Sequence, residues 1–165
     1  MNELRRLYES LGLGQVQTYL QSGNVVFATR ATDLRRLARR LEDAIEQTFG
    51  FRPAVILRTP SELRATIASN PFAKRDGINP AKLLVTFLAG DPGEEARKQV
   101  LAIKTDPEEL RIVGRELFIY FPNGMGRSEL SPAGIEKILR SPGTGRNWNT
   151  VTKLLEIAER LEHGS

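Results

Sequence analysis

The chain has 165 residues, with 24 Lys and Arg against 20 Asp and Glu, a formal net charge of +4, and 40% hydrophobic with 27% charged residues. That length suits one domain or two small halves, and the composition is that of a folded chain rather than a disordered one. With no cysteine and one histidine, His163, disulfides, thiolate metal sites, cysteine nucleophiles, histidine triads and multi-histidine metal sites are all excluded.

Leu4, Leu7, Tyr8 and Leu11 recur at helical spacing and Gly12 stops them, which predicts a helix over residues 2–11. Residues 16–20 and 25–28 are β-rich runs around Gln21-Ser22-Gly23-Asn24, a hairpin pattern. Residues 34–49 read as an amphipathic helix ended by Gly50, and residues 54–58 as a short buried strand. Thr59-Pro60-Ser61-Glu62 has the chemistry of a helix start, and Pro71 stops that helix near Asn70. Residues 72–80 are polar and punctuated by Gly and Pro, a connection between halves. Residues 83–89 then read as a strand, and Asp91-Pro92-Gly93-Glu94 opens a helix to about Ile103. Residues 110–113 and 117–121 flank Gly114-Arg115-Glu116 as a second hairpin. Ser131-Pro132 starts a helix to about Leu139, and residues 148–161 form the last, with Val151, Leu154, Leu155, Ala158 and Leu161 on one face.

The order is αββαβα over residues 1–78 and βαββ with two C-terminal helices over 79–165. This is an α+β chain of two ferredoxin-like (βαββαβ-type) halves, the first lacking its N-terminal strand. The apolar run at residues 83–89, broken by Thr86, is far short of the ~20 residues that span a bilayer. Residues 1–6 carry no signal-peptide core, so no membrane partner and a cytoplasmic location are expected.

The charge is uneven. Residues 1–80 hold 12 basic and 8 acidic side chains, and residues 81–165 hold 12 of each. Arg30, Arg35, Arg36, Arg39 and Arg40 stand against Asp33 alone, and on the helix Arg35, Arg36, Arg39 and Arg40 occupy the face opposite Leu34, Leu37, Ala38 and Leu41. Such a stripe reads as a phosphate-backbone contact or as a solvated face diluted by Glu42, Asp43 and Glu46.

Two segments carry candidate ligand chemistry. One is Asn123-Gly124-Met125-Gly126-Arg127-Ser128; the other runs from Ser141 through Thr144-Gly145-Arg146-Asn147-Trp148-Asn149-Thr150 to Lys153. Glycines let backbone N–H groups approach an anion, a helix start adds free donors, and Arg127, Arg146 and Lys153 add charge. Neither segment is a P-loop or a dinucleotide fingerprint. The structural alternative is that the glycines make turns, Asn147 or Asn149 caps the last helix, and Trp148 anchors it. Ser22 and Asn24 read as a tight turn or as part of the site. His163 reads as a solvated tail residue. No carboxylate pair has the spacing or apolar context for acid–base work, so catalytic residues and a cofactor stay unassigned, and no metal site is expected.

Thr18-Tyr19-Leu20-Gln21-Ser22-Gly23-Asn24-Val25-Val26-Phe27, the 123–128 segment and Thr144-Gly145-Arg146-Asn147-Trp148-Asn149-Thr150-Val151-Thr152-Lys153-Leu154 together resemble the bacterial family called domain of unknown function 1697. The resemblance implies an α+β fold of two ferredoxin-like subdomains and no particular activity. Two departures stand out. Members usually start with a strand and a Leu-Arg-Gly-Ile-Asn-Val-Gly-Gly-like segment, and Met1 falls where an internal Met follows it. Position 145 is Gly where Ala is usual. A shortened N-terminus is therefore expected, with an exposed sheet through which copies could associate.

The leading expectation is a binding protein for an anionic ligand: a nucleotide, a phosphorylated metabolite or a nucleic acid. Asn123, Gly124, Gly126, Arg127, Ser128, Thr144, Arg146, Asn147, Trp148, Asn149, Thr150 and Lys153 would hold it, with Ser22 and Asn24 as further candidates. The alternatives are an enzyme acting on a phosphorylated substrate without Cys or His chemistry, and an interaction scaffold whose motifs serve the fold.

Overall fold

The computed structural model describes residues 2–19, 23–103, 105–128, 130 and 132–163, apart from the side chains of Arg127, Pro132, Ala133 and His163. The chain is mixed α+β and separates into two compact units, residues 1–60 with 153–165 and residues 61–152. The sequence boundary at residue 78 lies inside the second unit.

In the first unit, α1 (Asn2–Ser10) leads into a hairpin of β1 (Gly14–Tyr19) and β2 (Asn24–Ala28), followed by α2 (Leu34–Phe49). The hairpin pairs antiparallel, with Gln17 opposite Val26 and Tyr19 opposite Asn24. Asp33 caps α2 by accepting the Arg36 N–H at 3.1 Å. Gly50 ends it at φ 82°, a left-handed conformation that a side chain would strain. Tyr8, Leu13, Val16, Leu37, Leu41 and Ile45 form the core, with Val25, Phe27, Val55 and Leu57 packed against it.

Residues 54–58 are not a strand, contrary to the sequence reading. In a βαββαβ unit the last strand pairs with the first, and no described residue of this unit lies alongside 54–58 to complete a ladder. The Val55 N–H instead donates to Glu42 Oε2 at 2.8 Å.

In the second unit, α3 (Pro60–Ala68) and a 3₁₀ turn at Pro80–Lys82 precede β3 (Leu83–Leu88), α4 (Glu94–Leu101), β4 (Glu109–Val113) and β5 (Glu116–Tyr120). A second 3₁₀ turn (Met125–Arg127) leads to α5 (Pro132–Leu139) and β6 (Gly143–Asn147), and α6 (Trp148–His163) follows directly, its residues from Lys153 onward belonging to the first unit. The four strands are ordered β4-β5-β3-β6 and every neighbouring pair is antiparallel. β3 and β4 therefore run parallel with β5 between them, the split βαβ of a ferredoxin-like unit.

β6 corrects the sequence reading of residues 144–147 as a loop between helices. The free edge of β3 takes this segment up as the unit's fourth strand, with Leu84 opposite Asn147 and Leu88 opposite Gly143.

All six residues of β3 are buried, which accounts for an apolar run that only Thr86 interrupts. Leu84, Leu88, Leu117, Ile119 and Phe121 meet Val100 of α4 and Ile135 and Leu139 of α5 on one face. α3 is tied to the β4–β5 hairpin by Thr66 Oγ1 donating to Glu116 at 2.6 Å and by an Arg115–Glu62 ion pair at 2.7 Å. Among the described residues no helix is long and apolar enough to cross a membrane.

Candidate functional site

The antiparallel register decides where the two motif segments go. The start of β3 lies between the end of β5 and the end of β6, with Leu83 opposite Tyr120 and Leu84 opposite Asn147. Residues 123–127 leave the sheet just after β5, so both segments reach the same end of one sheet. Two interstrand spacings, ~10 Å, separate the ends of β5 and β6.

Lys82 and Ala81 bridge that interval. Lys82 Nζ donates to the Pro122 carbonyl at 2.9 Å, and the Lys82 carbonyl accepts the Phe121 N–H at 2.9 Å. Asn147 Nδ2 donates to the Ala81 carbonyl at 2.7 Å, and Asn147 Oδ1 accepts the Asn149 N–H at 2.9 Å as α6 begins. Gly124, at φ 85°, turns the chain into the 3₁₀ turn, and a Cβ there would meet no atom within 4 Å. A Cβ at Gly126 would also meet open space. The end of the sheet thus presents a half-buried ammonium group, a glycine turn with space in front of it and an asparagine fixed at both ends of its amide.

The remaining predicted residues divide. Arg146 lies on β6 and bends along its own strand, donating to Thr144 Oγ1 at 2.5 Å and to the Gly145 carbonyl at 2.9 Å. Burial holds its guanidinium below the usual arginine range. Ser128 Oγ accepts the Leu130 N–H at 3.1 Å and so shapes the chain after the turn. Trp148 and Thr150 are half-buried in the first turn of α6, and Asn149 is exposed. Lys153 pairs with Glu156 at 3.4 Å and, like Asn24, belongs to the first unit. Asn24 is buried, and its amide closes the hairpin by donating to the Tyr19 carbonyl at 3.0 Å. Ser22 and the Arg127 side chain lie outside the described residues.

Lys82 is the residue that sequence reasoning missed. It carries no periodicity and no motif. Its one signal is a cation directly before the most apolar strand, where its stem is held at the sheet end.

The sequence profile of a family described as a protein of unknown function, DUF1697, matches residues 1–118. The chain belongs to the DUF1697 family. The matched stretch takes in the 18–27 motif and ends before residues 123–128 and 144–154. No curated protein matches the sequence. Among solved structures, a conserved bacterial protein, SP0830 from Streptococcus pneumoniae, is similar, with a TM-score of 0.69 and 22% identity over 96% of this chain and 88% of that one. At that identity the likeness is one of fold, and it spans both units.

Proposed function

We propose that this DUF1697 protein binds a small anionic ligand, phosphorylated or nucleotide-like, in the cytoplasm. The ligand would lie at the end of the four-stranded sheet, between the 123–127 turn and Asn147. The observation that carries this reading is the convergence of both glycine- and asparagine-bearing segments on either side of Lys82. Glycine leaves the turn's backbone open to an anion, and the half-buried Lys82 supplies charge beside it. Asn149 and Thr150 would add polar contacts, whereas Arg146 is engaged with Thr144, three residues back from Asn147 along β6.

A thermal-shift and calorimetric titration with inorganic phosphate, pyrophosphate and ATP, at matched ionic strength, tests it. Salt-sensitive stabilisation by at least one of these is expected. Lys82→Gln is expected to abolish that stabilisation while still folding, the unliganded protein melting lower by no more than the loss of one hydrogen bond to the Pro122 carbonyl implies. No response to any of the three anions sinks the reading.

The scaffold alternative has one specific observation in its favour: both ends of the Asn147 amide are spent within the fold. Under that alternative Asn147→Ala lowers stability by about 1–3 kcal/mol, the cost of orphaned backbone partners, and no anion changes the melting temperature of either protein.

A further inference from the structure

We propose that the exposed face of α2 is a contact surface for the phosphodiester backbone of a nucleic acid. Arg35, Arg36, Arg39 and Arg40 are all exposed on this helix. At 100° per residue they occupy ~140° of arc and ~7.5 Å of rise. None of them pairs with a carboxylate among the described residues.

The acidic residues further along the helix pair with Arg52 and not with the stripe. Arg52 lies 3.5 Å from Glu42, 2.5 Å from Asp43 and 3.6 Å from Glu46. The helix is thereby divided into a basic N-terminal half and an acidic C-terminal half.

This polarity opposes helix physics. The N-terminal end of a helix carries the positive end of its dipole and favours acidic side chains, and the C-terminal end favours basic ones. α2 has no acidic residue in its first turn and no basic residue in its last. Arg35 with Arg39, and Arg36 with Arg40, are like charges at i,i+4, a spacing at which they repel. Apart from the N-cap Asp33, no acidic side chain among the described residues offsets the charge of Arg35, Arg36 and Arg39 at this end of the helix, and a partner that repays their repulsion accounts for the arrangement.

The chemistry of that partner follows from the side chains. All four are arginines, whose planar forks match phosphate oxygens in pairs. The rise they cover equals about two nucleotide steps along one strand. A membrane surface fits worse. A helix lying in a bilayer interface needs its apolar face for lipid, and Leu37, Leu41 and Ile45 are already buried in the core of the unit.

Arg40 also has a place in the fold, since its Nη2 donates to the Leu11 carbonyl at 3.1 Å beyond the end of α1. The informative variant therefore changes the other three: Arg35→Gln, Arg36→Gln and Arg39→Gln together. Fluorescence anisotropy with a labelled DNA duplex and a labelled single-stranded RNA, each over a salt series, separates the two sources of phosphodiester. Binding of at least one is expected, with an affinity that falls as salt rises. The triple variant is expected to lose at least about tenfold in affinity and to flatten the log–log salt slope by roughly 2 to 3. Its melting temperature should hold or rise, so the loss cannot come from unfolding. A triple Arg→Lys variant is expected to keep the slope.

Equal affinity and slope in wild type and the Gln variant would overturn the proposal. So would binding confined to phosphatidylserine vesicles, with neither nucleic acid bound. Lys82→Gln separates this surface from the sheet-end site: it is expected to leave the nucleic-acid curves unchanged.

Discussion

Tyr8 shows what burial does to a single titratable group. Its ring stands edge-on to Phe27, with centroids 5.6 Å apart, inside the core of the first unit. Burial pushes its phenol up from 10.0 to about 12. The sign follows from linkage. The folded state resists ionisation that the unfolded chain permits, so the contribution is complete below pH 10 and is lost as pH rises from 10 towards 12. Two pH units correspond to roughly 2–3 kcal/mol. Spectrophotometric titration is expected to show a late phenol that is absent in Tyr8→Phe. Tyr8→Phe is expected to remove the corresponding part of the alkaline loss of stability in urea melts between pH 9 and 12. Exposed charges behave differently: the Asp91 carboxyl is held below its ordinary range first by the Gly93 N–H and then by Arg97. Asp91 therefore favours folding at neutral pH and ceases to do so in acid.

The elements show where sequence reasoning succeeded and where pairing overruled it. α2 runs over residues 34–49 as its periodicity and Gly50 dictate, because one face meets a core and both ends are capped by local chemistry. Two short segments went the other way, and for one reason. Ala54-Val55-Ile56-Leu57-Arg58 has the composition of a strand but pairs with no strand among the described residues, whereas Gly143-Thr144-Gly145-Arg146-Asn147 has poor strand composition and finds the open edge of β3. Propensity is a local property and a ladder needs a neighbour, so a single-sequence reading inverts the two. The candidate site was legible to the same extent. Its glycine and asparagine segments stood out, but only the register of β3 reveals that they share an end of the sheet with Lys82.

The glycines of β6 carry a testable consequence of that inversion. A Cβ at Gly143 would lie 2.9 Å from Thr86 Cγ2 and 3.2 Å from Leu88 Cδ2. At Gly145 the nearest atoms belong to Leu84, at 3.3–3.5 Å. Gly143→Ala is therefore expected to destabilise the second unit by about 1–3 kcal/mol, as overpacking does. Gly145→Ala should cost well under half of that, since the mobile end of Leu84 can give. Chemical denaturation of the two variants checks the order. Equal, negligible costs would show that these glycines serve loop freedom rather than strand contact.

At the scale of the whole molecule, the two units differ in how completely their sheets are closed. The second has four strands with β3 hydrogen-bonded on both sides, and Val85, Leu88, Phe118 and Ile119 fully buried around it. The first has a two-stranded sheet, an arrangement marginal in water without a core to support it. Its 54–58 segment packs Val55 and Leu57 on that core, and among the described residues no backbone hydrogen bond runs from the Ile56 or Leu57 N–H. Amide exchange follows the hydrogen bonds that must open, so a graded pattern is expected across the chain. Residues 84–88 and 117–120 should exchange slowest, through opening of the whole second unit. β1 and β2 should be intermediate. Ile56 and Leu57 should exchange close to the rate of an unstructured chain, although Leu57 sits among core residues. Val55 is expected to be the exception in its segment, slowed by Glu42 and released in Glu42→Ala. Slow exchange at Ile56 and Leu57 in solution would mean that another strand pairs with this segment there, from elsewhere in the chain or from a second copy. Repeating the measurement over a concentration series distinguishes the two, because only protection by a second copy fades on dilution.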